Sequence, residues 1–201
     1  AHGYLVVPGV LSPEQVVEAK LGMQRSLLER AGVDASSIER LQQTKLGLRR
    51  LSSTNGAGGV LDLFYERWKV RATLENKTYA AICKELLAST YASYDDDDQE
   101  NAENVLWAHP YGQFDPMADS VWAHVDRMGF RVPDTVAEHT SSDNLHQRKK
   151  GKKTLIQRSL TPHLDCCPTA MHAGGGKAFP RWRPIQCFLS LSDTAEPDHG
   201  G

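Results

Sequence analysis

The stretch Thr161-Pro162-His163-Leu164-Asp165, followed by Arg181-Trp182-Arg183-Pro184-Ile185-Gln186-Cys187-Phe188-Leu189-Ser190-Leu191, moves the hydrophobic pattern of this chain from a helical period to a period of two. Residues 155–160 read as one strand and 163–166 as another. Residues 185–192 read as the clearest strand, with Ile185, Cys187, Leu189 and Leu191 on one face. Residues two apart on a strand share a face, so His163 and Asp165 can bind one ion as two arms of a site built from two histidines and a carboxylate. The third arm has to come from elsewhere.

Upstream, the punctuation is helical. Ser12-Pro13-Glu14-Gln15 places a capping serine before a proline at the first helical position, with a glutamine three residues on. Val16, Ala19, Met23 and Leu27 then recur on one helical face, and Gly32 closes the pattern. Ahead of this helix, Tyr4 to Val7 reads as a short strand turned by Pro8-Gly9. Ser36 to Glu39 repeats the capping signature for a second, weaker helix, and residues 52–59 read as a loop. Tyr79, Ile82, Cys83, Leu86 and Leu87 mark the clearest helix of all. Residues 105–110 suggest a further strand. Pro116 to Met128 suggests a helix carrying Met117, Val121, Trp122 and Val125.

Helices first and strands afterwards imply an α+β protein, with a helical layer against antiparallel β structure. The 201 residues fit a single domain, 1–201, with a helix-rich part over 1–150 and the β core beginning at 151–201.

Charge excludes some functions. The chain carries 23 basic and 25 acidic residues for a net charge of -2, too balanced to draw it as a whole to nucleic acid or to an anionic membrane. The basic cluster at 148–153 has no interleaved aromatics, so it reads as a solvated loop or hairpin tip, or as a steering patch for an anionic substrate. The acidic run at 95–100 lacks the spaced oxygens and glycine of a calcium loop. The partners expected are small molecules, with no nucleic acid and no membrane. Cys83, Cys166, Cys167 and Cys187 form no regular framework, which favours a reduced compartment, the cytoplasm. No run reaches the ~18 apolar residues of a membrane span. Ala1 stands where a Met would, so a trimmed start is expected.

With the His-x-Asp pair before a loop, a tryptophan, an alternating strand and the turn Ser192-Asp193-Thr194-Ala195-Glu196-Pro197-Asp198-His199-Gly200-Gly201, the second half resembles the phytanoyl-CoA dioxygenase-like family of Fe(II)/2-oxoglutarate-dependent oxygenases. The opening Gly3-Tyr4-Leu5-Val6-Val7-Pro8-Gly9-Val10-Leu11-Ser12-Pro13-Glu14-Gln15 is similar to the family's strand and capped helix. The likeness is strongest over 3–31 and 154–201.

It implies a double-stranded β-helix, a cupin-like jelly-roll with the N-terminal helices packed on it and incomplete in this chain. It implies Fe(II) held by His163 and Asp165. It further implies 2-oxoglutarate as co-substrate with dioxygen, giving succinate and carbon dioxide as an organic or lipid-like substrate is hydroxylated. The family's distal histidine and its basic anchor for 2-oxoglutarate would both follow the Gly200-Gly201 turn. The chain is therefore expected to be the N-terminal part of a longer oxygenase, inactive as it stands.

If strand parity runs unbroken through Pro162, then Gln157, Ser159 and Thr161 share the face of His163, with groups suited to a bound oxo acid. Arg183 and Gln186, before and on the next strand, are further candidates for the 2-oxoglutarate site, Arg183 by pairing with a carboxylate. His172 could act as a third ligand from a glycine-rich loop, whereas His199 sits in the turn. Two rival readings stay open. One is a jelly-roll relative that binds without catalysis. The other is a small zinc protein in which Cys166 or Cys167 joins His163 and Asp165.

Overall fold

Ser12 starts the first helix by local chemistry alone. Its Oγ accepts from the Gln15 N–H at 3.3 Å, while the Gln15 side chain accepts from the Ser12 N–H at 2.9 Å, so two otherwise orphaned donors are satisfied reciprocally. Helix α1 then runs Pro13–Ala31 and ends at Gly32, whose φ of 66° is left-handed and whose N–H reaches the Leu27 and Leu28 carbonyls. Val33 N–H also bonds the Leu27 carbonyl, which closes the wrap-around end. The face expected from spacing is the buried one: Ala19 and Leu27 are buried, Val16 and Met23 half-buried.

The computed structural model describes residues 4–53, 59–90, 114–132 and 185–192. These fall into two compact units. The first holds the described residues 4–53, 59–73, 124–132 and 189–192, the second 74–90, 114–123 and 185–188.

In the first unit, α2 (Ile38–Thr44) follows α1, and its cap is Ser37, one residue later than the Ser36 signature suggested. The Ser36 hydroxyl is taken by the Asp34 carboxylate, which leaves Ser37 to accept from the Arg40 N–H at 3.3 Å. A 3-10 helix, Lys45–Leu51, continues directly from α2. Next come β1 (Val60–Leu61) and α3 (Arg67–Ala72). Strand β1 pairs antiparallel with β2 (Met128–Gly129), with Val60 opposite Gly129 and Leu61 opposite Met128.

Leu27, Ala31, Val33, Leu41, Leu48, Leu61, Leu63, Met128 and Val132 form the core of this unit, with Met23, Leu51, Trp68 and Phe130 packed around them. Each fully buried leucine contributes roughly 1.5–3 kcal/mol against an exposed one. Close approach of α1 and α3 requires Gly22, since a Cβ there would lie 2.4 Å from Trp68 Cβ. A polar seam fixes the crossing. Trp68 Nε1 donates to Ser26 Oγ at 3.1 Å, Ser26 donates to Glu66 at 3.0 Å, and Arg30 pairs with Glu66 at 2.7 Å.

The buried ammonium of Lys69 donates to the Leu63 carbonyl at 2.6 Å and also to the Asp126 carbonyl, bridging two segments far apart in sequence. Burial lowers its pKa, against the opposing pull of Asp126 and Glu66. Lys69→Met keeps the stem and removes both donors, so a loss of about 1–3 kcal/mol is expected in urea unfolding. A midpoint unchanged from the parent would show that the bridge contributes nothing.

The second unit is built on α4 (Lys77–Thr90), which forms where the apolar spacing placed it. Asn76 Oδ1 accepts from the Tyr79 N–H at 2.9 Å at its start. Leu87 and Phe114 are buried together, with Ala88 and Ile185 against them, and Lys84 donates to the Pro116 carbonyl at 2.8 Å.

Three expected elements differ. Tyr4 to Val7 is not in a strand, and all four side chains are exposed. No helix forms over Pro116 to Met128. A single capped turn forms instead: the Asp115 carboxylate accepts from the Met117 N–H at 2.8 Å and the Asp119 N–H bonds the Asp115 carbonyl at 2.8 Å, but the turn ends at residue 118. Met117 and Trp122 are exposed, and only the far end, at Val125 and Met128, is buried. Residues 185–192 likewise form no strand: Ile185, Leu189 and Leu191 are half-buried as alternation predicts, but Cys187 is exposed, and among the described residues no neighbour supplies a ladder. The expected strands at 105–110, 155–160 and 163–166 lie outside the described residues.

Candidate functional site

His163, Asp165, Gln157, Thr161 and Arg183 lie outside the described residues, as do His172, His199, Cys166 and Cys167. Gln186 is described: it is exposed, beside half-buried Ile185. Among the described residues no three His, Cys, Asp or Glu side chains converge on a point where a metal ion could sit. The donor chemistry of His163 with Asp165, one imidazole nitrogen and one carboxylate oxygen, suits Fe(II) and leaves coordination positions for other ligands.

Two polar clusters that spacing did not reveal are present. In the first unit the Tyr65 hydroxyl lies 3.0 Å from His124 Nδ1, and His124 Nε2 lies 3.7 Å from Asp126 Oδ1. The Tyr65 ring meets the imidazole edge-on at 5.6 Å. Tyr65 adopts a φ of 45°, a conformation that costs a non-glycine residue about 1–3 kcal/mol, so the contacts hold a strained backbone in place.

A tyrosine, histidine and aspartate in line can pass a proton, but this line is open to water. Tyr65 is 51% exposed overall, and the His124 and Asp126 side chains are 66% and 59% exposed. Without a low-dielectric wall the groups gain little electrostatic leverage, and the cluster acts as a latch between residues 65 and 124–126. Tyr65 and His124 are 59 positions apart, and no local signal links them.

Beside the latch, Asp62 accepts from Arg127 Nε at 2.9 Å and from the Ser53 N–H at 2.7 Å. Arg127 also sits 5.5 Å above the Phe64 ring, a cation–π contact. Burial pushes the Asp62 carboxyl upward, but the bonds from Arg127 and Ser53 outweigh it and hold the pKa below its ordinary 3.8. A carboxyl whose folded pKa is depressed stabilises the fold above its unfolded pKa and loses that contribution as pH falls through the folded value. Asp62→Asn is therefore expected to lower the urea midpoint at neutral pH, with the gap to the parent closing as the pH drops below 3.8. A gap that stays constant on acidification would contradict the assignment.

In the second unit, Tyr79, Cys83 and Leu87 line one stripe of α4 at intervals of four. Ile185 packs against the buried Leu87–Phe114 pair. Burial, then the neighbouring Cys187 thiol, pushes the Cys83 pKa up to about 11.

A groove in the first unit between α1 and α3, lined by Gln15, Glu18, Ala19, Trp68, Arg71 and Ala72, offers about 40 Å³ to solvent. That is room for water, well short of the ~300 Å³ or more of a small-molecule site. An Arg71–Glu18 ion pair spans it. Among the described residues no helix is long and apolar enough to cross a membrane. Comparison of the chain with protein-family models, with curated protein sequences and with solved structures gives no match.

Proposed function

We propose that this chain carries the His-x-Asp iron ligands of a non-haem Fe(II)/2-oxoglutarate-dependent dioxygenase that hydroxylates a small organic or lipid-like substrate. The observation that carries the reading is the His163-x-Asp165 pair set in a stretch of period two, ahead of the Trp182 to Leu191 segment and an acidic, glycine-ended turn. The reciprocally capped helix α1 after Ser12 agrees with the helical half of the opening that the reading expects, whereas its strand, Tyr4 to Val7, does not form.

Neutral His163 offers a nitrogen lone pair and Asp165 a single negative charge. Together they hold a divalent ion without neutralising it, so an anionic oxo acid is still attracted. Gln157 and Thr161 supply an amide and a hydroxyl for the oxo acid, Gln186 a second amide, and Arg183 a guanidinium matched to a carboxylate. Bound Fe(II) supplies the redox chemistry by which dioxygen converts 2-oxoglutarate to succinate and carbon dioxide while one oxygen atom enters the substrate.

The test is anaerobic. Fe(II) and 2-oxoglutarate added together to the whole translated protein should give a visible charge-transfer band that neither gives alone. Absence of the band at saturating concentrations of both would reject the reading. The band without succinate release in air would favour a non-catalytic relative. A zinc-selective site that excludes Fe(II) and is lost on blocking Cys166 and Cys167 would favour the zinc protein.

A further inference from the structure

Helix α1 buries one face and leaves a second apolar stripe in water. Val17, Leu21 and Leu28 are 56%, 56% and 52% exposed, and at about 3.6 residues per turn they fall within about 40° of one another, opposite buried Ala19 and Ser26. With Gln24 among them they recur at intervals of four, three and four, the seam spacing of two helices packed side by side. Gln24 is half-buried and its amide donates to the Ala35 carbonyl at 3.1 Å, so the polar end of that side chain is satisfied within the chain.

The charges beside the stripe complement themselves. Glu18 and Arg25 are seven residues apart and share one flank, the acid in the first half of the helix and the base in the second. An antiparallel copy sets Glu18 beside the partner's Arg25, and Arg25 beside the partner's Glu18. A parallel copy would instead set Lys20 beside the partner's Arg25, like against like. Opposed helix dipoles favour the antiparallel arrangement as well. Arg25 is exposed and, among the described residues, pairs with no carboxylate. Glu18 is bridged to Arg71 through Oε1, which leaves Oε2 for a second guanidinium.

We propose that α1 is a self-complementary docking face for a second copy of this chain. The two helices run antiparallel about a two-fold axis, with Val17 over the partner's Leu28 and Leu21 over the partner's Gln24. The apolar stripe and the stems of its flanking charges cover roughly 1,000 Å² in all, the lower end of a specific interface, so the dimer forms in the micromolar range. The inference does not rest on the iron reading, because none of its residues belongs to the proposed metal site.

Sedimentation of the whole translated protein across about 1–300 µM should show a reversible monomer–dimer equilibrium, since association follows mass action. Leu21→Glu and Arg25→Glu should each weaken it at least about tenfold, the first by placing a charge in the seam and the second by facing the partner's Glu18 with an acid, while Arg25→Lys stays within about threefold of the parent. Both positions are exposed, and an unchanged circular dichroism spectrum shows that the fold is kept. On mild oxidation, an equimolar mixture of Val17→Cys and Leu28→Cys should cross-link through those two peptides. Neither variant alone should do so, because antiparallel pairing holds like positions roughly 16 Å apart along the helix. A monomer at every concentration, a dimer indifferent to either acidic substitution, or links between like positions would overturn the proposal.

Discussion

Gly47→Ala is expected to destabilise the first unit by about 3 kcal/mol, lowering the thermal midpoint by roughly 6–12 °C. A Cβ at this position would lie 2.4 Å from the Ala31 carbonyl oxygen and 2.9 Å from Val33 Cγ2. The first contact is with backbone, at the closing turn of α1. Relief therefore requires the 3-10 helix Lys45–Leu51 to retreat from α1, and with it Leu48, which is 2% exposed in the core. Gly129→Ala is the matched control. Nothing lies within 4 Å of the added methyl, and restricting the unfolded chain should make the change neutral or slightly stabilising. Equal midpoints for the two variants would mean that the packing of the 3-10 helix on α1 is looser than these distances imply.

What could be read in advance depended on how local the cause was. Helix α1 was legible because Ser12, Pro13, Gln15 and Gly32 act within a few residues of themselves, and α4 because its stripe repeats over several turns. The shift of the second cap from Ser36 to Ser37 arises from competition by Asp34, a side-chain bond that spacing does not encode. The apolar spacing from Met117 to Val125 imitated a helix, but the capped turn after Asp115 ends at residue 118, and Met117 and Trp122 stay exposed, so no packing extends it.

Strands β1 and β2 have two residues each, too short for any alternation to show, and are specified by the packing of Leu61 and Met128 in one core. The Tyr65–His124 latch is tertiary in origin, and neither partner carries a mark of the other. The pairing of His163 with Asp165 is an expectation from strand parity, a two-residue property, and it lies outside the described residues. The third group of a metal site belongs to the closure of the fold, which that spacing does not specify.

His163→Ala is the second variant with a large expected effect. If His163 supplies the only imidazole of the two candidate arms, its loss leaves a lone carboxylate. Substitution of outer-shell partners alone typically costs 10–100-fold in metal affinity or activity, and removal of a direct ligand costs at least the upper end of that range. Asp165→Ala should behave alike, removing the charge that anchors the ion. His172→Ala separates the candidates: it should retain the parent rate if the glycine-rich loop supplies no ligand, and should match His163→Ala if it does.

The most direct measurement is succinate released from 2-oxoglutarate in air by the whole translated protein, with Fe(II) added and then withheld, for the parent and for His163→Ala. The account predicts Fe(II)-dependent succinate from the parent and less than about a hundredth of that rate from His163→Ala. Equal rates from the two proteins, or no succinate from the parent under any supply of Fe(II), would contradict it.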